Sequence, residues 1–204
     1  EARDAVELLD HLGLDKAVFI GTSRGGLLSM FLAATARHRM AGVLLNDIGP
    51  ELNPAGLARI YDYLGRKPNA RTMEEMAGKL RRDMGAAFPR LMIGDWLRLA
   101  KRWFAEGEDG IDLRYDPRLR DAVLSQAEAE TPDLWPLFDA LRDLPTAVIR
   151  GENSDLLSAE AVEKMTARRP DLIAATVPDR GHVPFLDEAD SQHALRELLS
   201  RVAP

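Results

Sequence analysis

The stretch VFIGTSRGGLLSMFLA, residues 18–33, limits the fold more tightly than any other part of the chain. Its first residues, with the preceding KA, form an apolar run rich in β-branched and aromatic residues, the pattern of a buried strand. From Arg24 to about Arg37, Leu27, Leu28, Phe31 and Leu32 recur at the spacing of a helix packed on a sheet. A strand must therefore become a helix within a few residues around Ser23. Such a turn strains the backbone and crowds its neighbours, so Gly21 and Gly25, two before and two after the serine, are expected to be glycine for want of space. The turn also lifts the Ser23 hydroxyl out of the surface beside the positive end of the helix. The Arg24 N–H is then placed to donate to an oxyanion. The same glycines could merely close a tight strand-to-helix turn, but the elements on either side favour the chemical reading.

The rest of the chain supplies a sheet for that turn. ARDAVELLDHLGL predicts a helix over residues 2–12 that stops at Gly13, and MAGVLLND is a second buried strand. After a long interruption, LPTAVIRG reads as a strand, SAEAVEKMTARR as a helix, LIAATVP as a strand and DEADSQHALRELLSRV as a closing helix. Strands alternating with helices indicate an α/β fold, a parallel sheet of four visible strands flanked by helices. The segment between shows helical punctuation and no good strand run. In TMEEMAGKLRRDM, Thr72 can cap and Glu75 can reach back, with Met73, Met76, Leu80 and Met84 on one face. Met92, Trp96, Leu99 and Trp103 form a second stripe, and Asp116-Pro117 and Thr131-Pro132 look like helix starts. The expected organisation is a core in two parts, residues 1–50 and 136–204, interrupted by an all-helical lid over 51–135.

Charge and composition exclude several functions. The net charge of -6 disfavours a broad grip on phosphate backbones, so no nucleic acid is expected as partner. No apolar run is long enough to span a bilayer. The absence of cysteine removes disulfides, thiolate nucleophiles and cysteine-based zinc sites, and fits a reducing, cytoplasmic setting. The chain begins at Glu1 without an initiator Met or a targeting segment, so whatever precedes it lies outside the sequence.

A serine nucleophile needs a base and an acid, and on a turn of this kind they follow it in the order acid, then histidine. Three histidines come after Ser23. His38 ends a helix, where a cation is sufficiently explained by the helix dipole, and His193 lies on a polar stretch of the last helix. His182, in VPDRGHVPF, falls in a loop after the last strand and can reach the carboxyl edge of a parallel sheet. For the acid, Asp155 in VIRGENSDLLS is the expected residue, although it would also serve as a helix-start aspartate. Asp47 in LLNDIGP, at the end of the second strand, is its rival on the same rim.

Together GTSRGG, LLNDIGP, VIRGENSDLLS and DRGHVPFLDE resemble, in order and spacing, the α/β-hydrolase superfamily, and in particular its cap-bearing, esterase-like branch. The resemblance covers the chain outside the lid. It implies Ser23 as nucleophile, His182 as general base and acid, and Asp155 as the residue orienting the imidazole. Haloalkane dehalogenases and epoxide hydrolases of the superfamily use an aspartate nucleophile, which Ser23 argues against. The expected activity is hydrolysis of carboxylic esters of small or medium acyl groups, with no metal or organic cofactor. A lactone or carbon–carbon bond hydrolase would use the same residues, and an inert hydrolase-like fragment or binding protein is the non-enzymatic alternative. The expected partner is a small ester-like molecule, with homo-oligomerisation left open.

The superfamily's sheet begins with strands that have no counterpart here, and an early loop supplies its second oxyanion donor. The segment alone is therefore expected to be a poor catalyst, since losing one such donor costs about 100- to 1,000-fold. Trp96, Trp103 and Trp135, with Met84 and Met92, are candidates for an apolar substrate wall, although packing among lid helices explains them more simply. Arg24 could alternatively aim its guanidinium at a substrate carboxylate.

Overall fold

The computed structural model describes residues 1–127 and 132–202. In chain order the elements are α1 (Ala2–His11), β1 (Ala17–Thr22), α2 (Arg24–Thr35), a 3-10 turn (Arg37–Arg39), β2 (Met40–Asn46), α3 (Pro54–Tyr63), α4 (Met73–Met84) and α5 (Ile93–Trp103). They continue with β3 (Phe104–Gly107), β4 (Gly110–Leu113), α6 (Leu119–Ala127), α7 (Trp135–Asp139), β5 (Thr146–Gly151), α8 (Ala159–Arg168), β6 (Ile173–Val177) and α9 (Ala189–Val202). The chain divides into two compact units, one of residues 1–54 with 133–204 and one of residues 55–132.

The first unit holds a four-stranded parallel sheet in the order β1-β2-β5-β6. Ile20 pairs with Leu44, Leu44 with Ala147, and Val148 with Ala174. Alternation along β2 sends Leu44 toward α9, in a core with Ala147, Ile149, Ile173, Val177, Ala194 and Leu198, while Leu45 faces Gly26 of α2. The two central strands are buried almost throughout, which is why they read as continuous apolar runs.

β1 differs from the buried strand expected. Among the described residues it pairs only with β2, and Ile20 is 50% exposed. Its apolar sequence is that of an inner strand, yet in the described sheet it has β2 alone beside it. Leu8, Leu12 and Leu14 before it and Phe31 after it are exposed as well.

The second unit is not all-helical. β3 and β4 form an antiparallel hairpin, pairing Phe104 with Leu113 and Glu106 with Ile111, closed by the two-residue turn Glu108-Asp109. Gly110 follows the turn at φ 113°, a conformation open to glycine, and Ile111 is fully buried and donates its N–H to the Ala70 carbonyl. Thr72 caps α4 as expected, accepting from the Glu75 N–H, but the Glu75 carboxylate reaches the Arg71 N–H, one residue before the cap. Met73, Met76 and Leu80 are buried on the expected face. Met92 departs from its stripe: it stands at the N-cap position of α5, outside the helix, donates its N–H to Asp95 Oδ2 at 2.7 Å, and is 74% exposed. At the other pair, the Asp116 side chain accepts from the Arg118 N–H and α6 starts at Leu119. The helix start expected at Thr131 lies outside the described residues.

All four strands of the large sheet run the same way, so Ser23, Asp47, the 151–158 loop and the 178–188 loop gather at one carboxyl edge. Among the described residues no helix is long and apolar enough to cross a membrane.

Candidate active site

Ser23 occupies the single position between β1 and α2 and has φ 51° and ψ -119°, a conformation that L-residues rarely adopt. Its N–H is held by the Asn46 carbonyl at 3.0 Å, and its own carbonyl accepts from Gly26 at 2.8 Å. The hydroxyl does not cap the helix it precedes; it lies 2.9 Å from His182 Nε2. Arg24 opens α2, so helix geometry gives its N–H no acceptor within the helix. The Arg24 guanidinium turns elsewhere, donating to Glu1 through Nε at 3.0 Å and Nη2 at 2.6 Å. That hydrogen bond holds the Glu1 carboxyl below the usual range.

His182 Nδ1 is 2.7 Å from Asp47 Oδ2. Asp47 follows β2 directly, has φ 56°, and is completely buried. Its carboxylate is not left bare: the Gly151 N–H donates to Oδ1 at 2.8 Å and the Ser154 hydroxyl to Oδ2 at 2.6 Å. With the Nδ1 contact, this makes three partners for a charge that burial would otherwise penalise severely.

The acid expected at Nδ1 was Asp155, and the structure places Asp47 there instead. An imidazole Nδ1 carries one proton and needs one acceptor, which Asp47 supplies. Asp155 is half-buried in the loop after β5, where its neighbour Ser154 makes the contact to Asp47. His38 lies in the 3-10 turn after α2 and His193 is exposed on α9. Trp96 is 1% exposed and meets Phe88 edge to face at 6.2 Å, so its ring belongs to the core of the second unit, while Trp103 is half-buried at the end of α5. Trp135 lies in the first unit, where its Nε1 donates to Glu51 at 3.1 Å and Arg168 covers its ring. Among the described residues no group of three or more His, Asp or Glu side chains could hold a metal ion.

Of the two glycines expected to be crowded, only Gly21 is. A Cβ there would stand 2.6 Å from backbone atoms of Gly25 and Gly26. A Cβ on Gly25 would meet nothing within 4 Å, whereas one on Gly26 would lie 2.2 Å from Ile48 Cγ2. The tight partner of Gly21 is thus Gly26 as much as the backbone of Gly25.

Glu188 is a residue that sequence reasoning passed over. It holds the His182 loop closed, accepting from Arg180 Nε at 2.7 Å, from the Phe185 N–H at 2.9 Å and from the Ser191 hydroxyl at 2.8 Å. Burial pushes its carboxyl up, but these donors outweigh burial and hold it below the usual range. A carboxyl lowered by folding contributes stability above its unfolded value, near 4.5, and loses that contribution as pH falls through the folded value. Glu188→Gln is expected to cost about 1.5–3 kcal/mol at neutral pH. The gap to the parent should narrow on acidification, and urea unfolding at neutral and acid pH checks this; a gap that stayed constant would contradict it.

Comparison with known proteins agrees with this architecture. A model of the alpha/beta hydrolase family matches residues 1–194. An alpha/beta hydrolase from Novosphingobium aromaticivorans is 44% identical, with a TM-score of 0.88 over 98% of this chain and 70% of that one. The 3-hydroxybutyrate-oligomer hydrolase of Cupriavidus necator is 37% identical over 91% of this chain and 66% of its own length. Esterase YbfF of Escherichia coli is 27% identical over 98% of this chain and 73% of its own. The chain therefore spans about two thirds of the curated relative it resembles at 37% identity. A four-stranded parallel sheet, a serine on a strained strand-to-helix turn and a family match along nearly the whole chain lead to one assignment: this chain belongs to the α/β-hydrolase family.

Proposed function

We propose that the protein hydrolyses carboxylic esters through an acyl-enzyme on Ser23. The observation that carries this reading is the hydrogen-bonded line from Ser23 Oγ through the His182 ring to Asp47 Oδ2. The Asp47 carboxylate accepts, so Nδ1 carries the ring proton and Nε2 presents a lone pair to the serine. His182 Nε2 takes the hydroxyl proton as Oγ attacks the carbonyl carbon, and the Arg24 N–H donates to the oxygen that becomes negative. Collapse of the tetrahedral intermediate breaks the bond to the alcohol, which leaves with the proton from His182. A water then gives a proton to Nε2 as its oxygen attacks the acyl carbon; the second intermediate collapses by breaking the bond to Ser23 Oγ, which takes the proton back from Nε2 as the acid is released.

Short esters of hydroxy acids are the substrates to try first, because the 37% identical relative is a 3-hydroxybutyrate-oligomer hydrolase and the bonds in such oligomers are esters. The test pairs two measurements on the intact protein. A fluorophosphonate probe is expected to label Ser23, and release of monomer from the 3-hydroxybutyrate dimer is expected to disappear in Ser23→Ala. Turnover that survived that substitution would sink the proposal. Cleavage of lactones or diketone acids in place of esters would keep the nucleophile and change the substrate class.

A further inference from the structure

We propose that Ser154 is a positioning residue for Asp47, fixing the carboxylate oxygen that holds His182; this rests on the reading of Ser23, His182 and Asp47 as one working set. The Ser154 hydroxyl and His182 Nδ1 share the same oxygen, Oδ2, at 2.6 and 2.7 Å. The Gly151 N–H alone would anchor Oδ1 and leave the carboxylate free to turn about its Cβ–Cγ bond. A second donor on Oδ2 fixes its plane.

The hydroxyl is itself aimed. Its oxygen accepts from the N–H groups of Leu156 at 3.2 Å and Leu157 at 3.1 Å, which occupy its lone pairs and leave its one proton for Asp47. The Ser154 N–H in turn closes a tight turn on the Gly151 carbonyl at 2.9 Å, so both donors to Asp47 come from one short, internally bonded loop after β5. That loop supplies a hydroxyl where the acid itself was expected one residue later. Ser154 acts through Asp47: its action is on where the imidazole points, and substrate binding does not depend on it.

Steady-state ester hydrolysis by the intact protein tests this. Ser154→Ala is expected to lower kcat about tenfold to hundredfold with KM unchanged, the loss of one hydrogen bond to a charged group. Ser154→Thr, which keeps the hydroxyl, should recover most of the rate. In an Asp47→Asn background, Ser154→Ala should cost little more, because the group it positions is already gone. Should the alanine variant fail to fold, Ser154→Cys, with a weaker donor of similar shape, is expected to show the same fall in kcat alone. A Ser154→Ala enzyme with parental kcat, or a loss that adds in full to that of Asp47→Asn, overturns the proposal. Ser23→Ala separates the two readings: turnover in that variant is a failure of the ester-hydrolase reading and not of the role of Ser154.

Discussion

Asp47→Asn is expected to lower kcat for ester hydrolysis by about 10^4, the typical cost of presenting the wrong imidazole tautomer to a serine. The reason lies in the other bonds of the side chain. The Gly151 N–H needs an acceptor at the Oδ1 position, so an asparagine would keep its carbonyl oxygen there and place its NH2 where Oδ2 now stands. That NH2 cannot accept the Ser154 proton and finds no lone pair free on the Ser154 oxygen, which already accepts from Leu156 and Leu157; it also faces His182 Nδ1, which must then be the unprotonated nitrogen. The proton moves to Nε2, and Nε2 can no longer accept from Ser23, 2.9 Å away. Asp155→Asn leaves this arrangement intact and is expected to keep kcat close to the parental value. The pair of variants decides between the two aspartates, since a larger loss at Asp155 would reverse the assignment. Unfolding midpoints measured alongside separate chemistry from stability, because Asp47 also receives bonds that hold two loops together.

The contrast between Asp47 and Asp155 shows where sequence reasoning reaches its limit. The four strands of the main sheet and the helices between them were legible because buried parallel strands are near-continuous apolar runs and amphipathic helices repeat every three to four residues. That Ser23 and His182 come together was legible for a related reason: glycine spacing and chain order are properties of the chain itself. Which aspartate meets His182 was not, because two aspartates lay on the same rim and their side-chain directions depend on loop paths. Asp47 turns inward at a positive φ, and in the loop after β5 it is Ser154 that meets it. The hairpin of β3 and β4 escaped notice since each strand has four residues, too few to establish a period of two; the one local signal was Asp109-Gly110 between Phe104 and Leu113.

Gly21→Ala is the substitution expected to harm the fold most. The added methyl would lie 2.6 Å from the Gly25 carbonyl carbon and oxygen and the Gly26 Cα, all of them backbone atoms of the first turn of α2. No rotamer change relieves that contact, so the start of α2 would have to lift from β1, carrying with it the packing of Gly26 against Ile48 and Leu45. The expected loss exceeds about 4 kcal/mol, in the range reserved for forced backbone movement and core disruption, and a chain that does not fold is the extreme outcome. Gly25→Ala makes the informative contrast. Its Cβ would enter open space, its φ is not positive, and alanine in a helix is preferred over glycine, so stability is expected to hold or to rise by about 0.4–1 kcal/mol. Gly26→Ala should also destabilise but less than Gly21→Ala, because its closest neighbour at 2.2 Å is a side-chain methyl of the buried, β-branched Ile48, which is stiff but not backbone. Denaturant midpoints with unchanged slopes would rank the three. If Gly25→Ala proved as damaging as Gly21→Ala, the symmetric demand for small residues on both sides of Ser23, as first read from the spacing, would be restored.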